Sequence, residues 1–127
     1  MVVDTSALIA VALGESDAGL FRHALETASD INISAVSKLE VGIVAAQRNV
    51  FDEVMLMIEM LNIKIHTFDD QQCQIAKAAH QQFGKGRHPA ALNFGDCCSY
   101  ALATNLGWPL LFKGNDFSQT DIASALA

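Results

Sequence analysis

Four acidic side chains occupy positions that ordinary surface acids do not explain as a group. Asp4 ends the apolar run Val2–Val3 and is followed at once by two hydroxyl residues, Thr5 and Ser6. Hydroxyls and free backbone N–H groups at the start of a helix can hold bound water or phosphate. On a helical wheel of about 100° per residue, Glu40 falls between Val36, Ile43 and Val44, with Lys38 on the opposite side. A carboxylate held against a core without a partner is costly unless something neutralises it, and a metal ion does so efficiently. Asp96 is the third residue after Asn93, and Asp116 follows Gly114 and Asn115 with Gln119 three residues on. Each acid alone has an ordinary reading: a turn residue for Asp4, a distant ion pair for Glu40, a helix-dipole or capping role for Asp96 and Asp116. Those readings do not account for the combination. Four carboxylates gathered in one crevice repel one another, and a hard divalent cation such as Mg²⁺ or Mn²⁺ relieves the repulsion. All-oxygen sites of this kind suit phosphoryl chemistry, in which metals activate water and stabilise the attacking and leaving oxygens.

The elements that must position these acids can be read from periodicity and caps. Residues 2–4 form a short buried strand, residues 6–13 a short helix and residues 15–28 a second helix with Leu20, Phe21, Ala24 and Leu25 inward. Residues 31–33 form a brief strand, and Ser34 caps a helix running to Arg48. A Met-rich helix covers residues 52–61, and residues 63–68 alternate as a half-buried strand would. Asp69 or Asp70 caps a helix that stops near Gly84, and residues 84–93 are the clearest loop. Asn93 caps a helix over residues 94–105, Gly107 stops it, Pro109 leads into a strand at 110–113, and a last helix follows Asp116. Strands that alternate with helices and are nearly uniformly apolar indicate an α/β fold with a short parallel sheet covered on both faces. Ligands bind such sheets beyond the carboxyl ends of the strands, where Asp4 and Asp116 lie.

Composition narrows the function classes. The chain has 127 residues, 51% of them hydrophobic, which suits one domain over residues 1–127 with an ordinary core. Mean hydropathy is +0.26, yet the densest apolar stretch, residues 54–65, is broken by Glu59, Asn62 and Lys64, well short of the roughly 20 apolar residues of a spanning helix. No basic residue precedes the first apolar run, so a secretory leader does not fit, and a cytoplasmic protein without membrane attachment is expected. Cys73, Cys97 and Cys98 form an odd set, read as reduced and packed, and His23, His66, His80 and His88 are too scattered for a zinc site. Fourteen acids against eight bases, a net charge of -6, argue against a protein that holds nucleic acid by bulk positive charge. Neutralisation of four of those acids by metal removes much of the objection.

At the four acids the sequence resembles a PIN domain, specifically the VapC-type toxins of bacterial toxin-antitoxin pairs. The matching segments are VVDTSALIA (residues 2–10), SAVSKLEVGIV (34–44), LNFGDCCSYALA (92–103) and LLFKGNDFSQTDI (110–122), in the family's order along nearly the whole chain. The resemblance implies a PIN-like three-layer sandwich and a metal-dependent endoribonuclease, usually a homodimer, inhibited by a small VapB-like antitoxin. It also implies Asp4, Glu40, Asp96 and Asp116 as the catalytic, metal-holding acids, with Ser6 as the hydroxyl of the first motif. In the chemistry expected, Asp4, Asp96 and Asp116 hold one or two Mg²⁺ or Mn²⁺ ions, and Glu40 completes the cluster and orients or deprotonates water.

Other classes remain open at this point. A haloacid-dehalogenase-like phosphatase also starts with a strand ending in Asp but needs a second acid two residues later, where this chain has Ser6. A receiver-type module would pair clustered acids with a lysine such as Lys113, but Asp69 and Asp70 precede a helix and do not follow the first strand. A catalytically silent RNA- or protein-binding PIN fold is the third reading. Lys85 and Arg87, beside His88, are candidate phosphate contacts, as are Ser6 and Asn115 for substrate. Phe83 and Phe94, isolated aromatics at helix ends, read as core first and base-stacking second.

Overall fold

The computed structural model describes residues 1–126. Four parallel strands, β1 (Val2–Val3), β2 (Asn32–Ser34), β3 (Lys64–His66) and β4 (Leu110–Leu111), lie in the order β3-β2-β1-β4. Val2 is opposite Asn32 on one side and Leu110 on the other, and Val3 is opposite Leu111. Six helices surround them: α1 (Thr5–Ala12), α2 (Ala18–Thr27), α3 (Ala35–Gln47), α4 (Phe51–Met60), α5 (Asp70–Phe83) and α6 (Phe94–Leu106).

β1 and β4 are wholly apolar because each face of the sheet has its own core, whereas β2 carries Asn32 and Ser34 and β3 carries Lys64 and His66 beside one isoleucine each. Val3, Ile33 and Leu111 pack with α1 to α4 around Leu8, Phe21, Val41 and Val54. Val2 and Leu110 face the other way and pack with α5 and α6 around Phe83, Leu92, Leu102 and Phe117. The result is the three-layer α/β arrangement expected, with every β1 side chain fully buried.

The expected caps are present. Ser34 accepts from the Val36 N–H, Asp69 from the Gln72 N–H at 2.9 Å, and Asn93 and Asp96 form a reciprocal capping box. Gly107 closes α6 at φ 69°, a left-handed position that glycine takes at no steric cost.

Three expectations are corrected. Among the described residues no helix follows Asp116 beyond one 3-10 turn at Phe117–Gln119. The chain instead returns beside β4, where Leu110 donates to the Ala123 carbonyl and Ala125 to the Leu110 carbonyl, both at 2.9 Å, so it covers that edge of the sheet. β3 is an open edge strand with Ile65 48% exposed, and its alternation does not mark burial. Leu20 lies outward on α2 and Cys73 outward on α5, whereas Cys97 and Cys98 are buried as anticipated. Among the described residues no helix is long and apolar enough to cross a membrane.

Candidate active site

β1, α1, α3 and α6 meet at the carboxyl end of the sheet in a crevice of about 330 Å³, lined by Asp4, Thr5, Ser6, Glu15, Glu40, Asp96 and Lys113 among others. Asp4 leaves β1 just where α1 begins and serves as its N-cap. Its Oδ2 accepts from the Ser6 N–H at 3.1 Å and the Ser6 hydroxyl at 2.6 Å, and its Oδ1 accepts from the Ser99 hydroxyl at 2.6 Å. The carboxylate is only 4% exposed, so these bonds replace the water it has lost.

Glu40 sits at the margin of the buried face of α3, which is made by Ser37, Val41 and Ala45. The wheel correctly takes it off the solvent side. Ile43, placed by the wheel in the same apolar face, is 52% exposed. Glu40 Oε1 accepts from the Thr5 hydroxyl at 2.7 Å. Its carboxylate lies against the backbone of α6 at Gly95, where a Cβ would collide with it. Only glycine allows α6 to come so close.

Asp96 is in the first turn of α6, half-buried, with Oδ2 accepting from the Asn93 N–H at 3.0 Å. Its carboxyl is pushed up to about 7, first by burial and then by the charges of Asp4, Asp116 and Glu40, against the lowering effect of the Asn93 N–H. The charges of the other three acids singled out from sequence thus reach Asp96. Asp116 is exposed, does not line the crevice, and forms no side-chain cap on the turn that follows it. The capping-box reading of Asp116 and Gln119 thus fails, because Gln119 Nε2 approaches the Asn115 carbonyl instead.

A frame of hydroxyls that sequence reasoning overlooked braces these acids. Ser37 and Ser99, both fully buried, share a hydrogen bond of 3.0 Å that ties α3 to α6. Ser37 lies one turn before Glu40 and Ser99 one turn after Asp96, a mirrored spacing that was legible as a signal. Glu15 and Asp17 were missed as well, and Lys113 was weighed only as a phosphate-accepting module's lysine. Lys113 donates its backbone N–H to the Ser6 hydroxyl, and its Nζ pairs with Glu15 and Asp17 at 3.1 Å each, which raises its pKa.

Ser99→Ala strips Asp4 Oδ1 and Ser37 of a partner inside the fold. It is expected to destabilise the protein by about 1–3 kcal/mol, the cost of a buried polar group left unsatisfied. Denaturant unfolding measures this, and a change within about 0.5 kcal/mol, as at a neutral surface site, would refute it.

The candidate substrate residues are dispersed. Ser6 is committed to Asp4 and to Lys113, Asn115 is exposed beside Asp116, and Lys85 and Arg87 are exposed on the 84–93 loop without lining the crevice. Among the described residues, no three Asp, Glu, His or Cys side chains stand close enough to share one ion. The donor set still suits a hard cation. It is all oxygen, Asp116 has no cap to serve, and the repulsion that raises Asp96 is what a divalent charge would remove.

The sequence profile of the PIN domain family matches residues 1–123. Ribonuclease VapC28 of Mycobacterium tuberculosis is 45% identical over 133 aligned positions, covering 99% of this chain and 98% of that protein. The crystal structure of M. tuberculosis VapC20, a sarcin-ricin loop cleaving toxin, superposes with a TM-score of 0.77 at 15% identity, covering 96% of this chain and 95% of that one. A toxin-antitoxin complex from Klebsiella pneumoniae contains a chain that superposes with a TM-score of 0.73 at 19% identity, covering 94% and 92%.

Proposed function

Because this chain belongs to the PIN domain family, as a VapC-type ribonuclease of the toxin-antitoxin class, we propose that its RNA hydrolysis is carried out by Asp4, Glu40, Asp96 and Asp116 with Mg²⁺ or Mn²⁺. The observation that supports this assignment most is that Asp4, Glu40 and Asp96, from three different elements, line one crevice, where burial and then the charges of the other three acids push the Asp96 carboxyl up. Asp4, fixed by Ser6 and Ser99, presents an oriented carboxylate at the floor of the crevice. Asp96 keeps Oδ1 free because the Asn93 N–H engages Oδ2. Asp116, exposed outside the crevice lining but close enough for its charge to raise the Asp96 carboxyl, is the proposed fourth carboxylate. A divalent ion bound among them would supply neutralising charge and make water acidic enough to be deprotonated at neutral pH. Since Thr5 occupies Oε1 of Glu40, Oε2 is the oxygen available to orient the attacking water or take its proton. In-line attack on phosphorus with departure of the 3′ oxygen leaves a 5′-phosphate and a 3′-hydroxyl, with no use of the ribose 2′-OH. Lys85, Arg87, Ser6 and Asn115 are the proposed substrate contacts.

The toxin acts in the cytoplasm as a homodimer, with a small VapB-like antitoxin as its inhibitor. An exposed apolar face on α3 and α4, with Leu39 at 65%, Ile43 at 52% and Phe51 at 44%, is suited to self-association. A separate groove of about 440 Å³ runs between α1, α2 and α4, lined by Val11, Leu25, Leu56, Met57 and Met60 with Arg22, Glu26 and Glu53. Met57 and Met60 thus lie where an apolar antitoxin segment would anchor, whereas Met55 lines the neighbouring α3 and α4 grooves and Leu13 packs on the core. A basic side chain from that partner could lie across the acid crevice, where a guanidinium binds carboxylates bidentately.

The purified protein should cut single-stranded RNA in Mg²⁺ or Mn²⁺, leave 5′-phosphate ends, and stop in EDTA. Undiminished cutting in chelator, or 2′,3′-cyclic phosphate ends, would overturn the metal assignment.

A further inference from the structure

We propose that the groove between α5 and α6 is a nucleobase subsite, in which the base next to the scissile phosphate of a single-stranded RNA stacks on Phe94. This rests on the acid crevice being the cleavage site. Phe94 opens α6 and is 76% exposed, the most exposed of the large apolar side chains. Exposing a phenyl ring so fully forfeits the burial that ordinarily decides where phenylalanine goes. Phe83, the other aromatic at a helix end, is 6% exposed and belongs to the core.

The ring borders a groove of about 310 Å³ whose other walls include Phe68, Ala76, Cys97 and Cys98, with Lys77 and His80 exposed on α5. That volume is at the small end for ligand sites and suits one planar ring system. An apolar slot with an aromatic wall, a lysine and a hydrogen-bonding histidine is the combination that holds a base by its face and the strand by its phosphates. Lys77 and His80 are notable because the chain as a whole is acidic.

The groove and the crevice share no lining residue but meet at the first turn of α6. Asp96 and Cys97 are consecutive, and Gly95, between Phe94 and Asp96, touches Glu40. Phe68 follows β3 as Asp4 follows β1, so both cavities open at the carboxyl end of the sheet. Two residues apart on a helix, Phe94 and Asp96 leave the first turn on opposite sides. A strand laid across that turn places a phosphate against the acids and the adjoining base against the ring. Cys97 and Cys98 are buried and contribute small apolar surface to the floor of the groove.

The test uses a five-nucleotide single-stranded RNA spanning a mapped cleavage position, bound in Mg²⁺ to protein carrying Asp116→Asn so that it stays intact. Adding Phe94→Ala should weaken binding by about 10-fold, and Phe94→Trp should restore it. In the active protein Phe94→Ala should also flatten base preference beside the cut. With 4-thiouridine at that position, photo-cross-links should map to residues 68–80 or 94–98. Unchanged affinity and preference in a Phe94→Ala protein that still cuts RNA would overturn the subsite and leave the nuclease standing. A loss of self-association on Phe94→Ala with RNA binding intact would assign the ring to a copy of this chain and overturn it equally. If the wild-type control neither binds nor cuts RNA, the nuclease reading falls and the subsite falls with it.

Discussion

Asp96→Asn is expected to lower RNA cleavage by about 10³-fold or more while raising the melting temperature of the metal-free protein. The carboxyl titrates at about 7 in the fold against an ordinary value of 3.8, so the folded state binds this proton more tightly than the unfolded chain does. Its stabilising contribution is therefore fully present below pH 3.8 and is lost as pH rises towards 7. Above that, an ionised Asp96 is held partly out of water and also faces the charges of Asp4, Asp116 and Glu40. Asn retains an oxygen to accept from the Asn93 N–H and carries no charge, so the cap survives and the repulsion does not. With the solvent screening of a half-exposed group taken into account, the gain at neutral pH should be about 1–2 kcal/mol. Thermal unfolding in EDTA from pH 4 to 8 should show the variant gaining on the wild type across the interval and levelling off above it. A variant less stable at every pH would mark Asp96 as a structural cap.

Gly95→Ala should have the opposite signature, with activity lost and stability kept. A Cβ there meets the end of the Glu40 side chain, which can swing away without moving backbone. Swinging breaks the 2.7 Å bond from Thr5 and takes the carboxylate out of position. Displacement of a catalytic group by about 1 Å costs on the order of 10²-fold in rate, so a loss of that size is expected with unfolding free energy changed by less than about 1 kcal/mol. Cleavage rates and denaturation midpoints on one preparation decide it. Near-normal cleavage would show that the Glu40 position is not critical, and a strongly destabilised protein would show that α3 and α6 themselves had separated.

These effects differ in how far they could be anticipated. Asp96 could be picked out because its neighbours in sequence, Asn93 and the apolar run after Cys97, announce a helix start. The alternation of strands and helices, and the caps at Ser34, Asp69 and Asn93, are likewise local chemistry and are read directly. Ser37 and Ser99 were passed over because a serine inside a helix has no local mark of burial. Their meaning lies in contacts with each other across 62 residues and with Asp4 across 95. The segment after Asp116 misleads for a similar reason. Its capping pattern favours a helix locally, but the open edge of β4 offers backbone partners that a helix would leave unused. Ile65 reads as inward because alternation looks the same on an edge strand, where the layer that would bury it is absent. Phe94 reads as core because phenylalanine usually is, and its exposure depends on how α5 and α6 meet.

The pairing of β1 with β4 also sets when this enzyme can exist during its own synthesis. Val2 finds its partner at Leu110, Asp4 its brace at Ser99 and Ser6 its anchor at Lys113, so β1 and the start of α1 wait for segments 95 and 107 residues further along the chain. Contacts of such long sequence separation form slowly, since the intervening loop must be closed before they return any energy. A ribosome-bound chain ending before Asp116 carries Asp4 and Glu40 but lacks the fourth carboxylate, and before Leu110 it lacks the strand that seats the first. Until β4 and Asp116 have both been made, the four acids of the proposed site cannot come together, so cleavage activity is gated by the closure of one long loop.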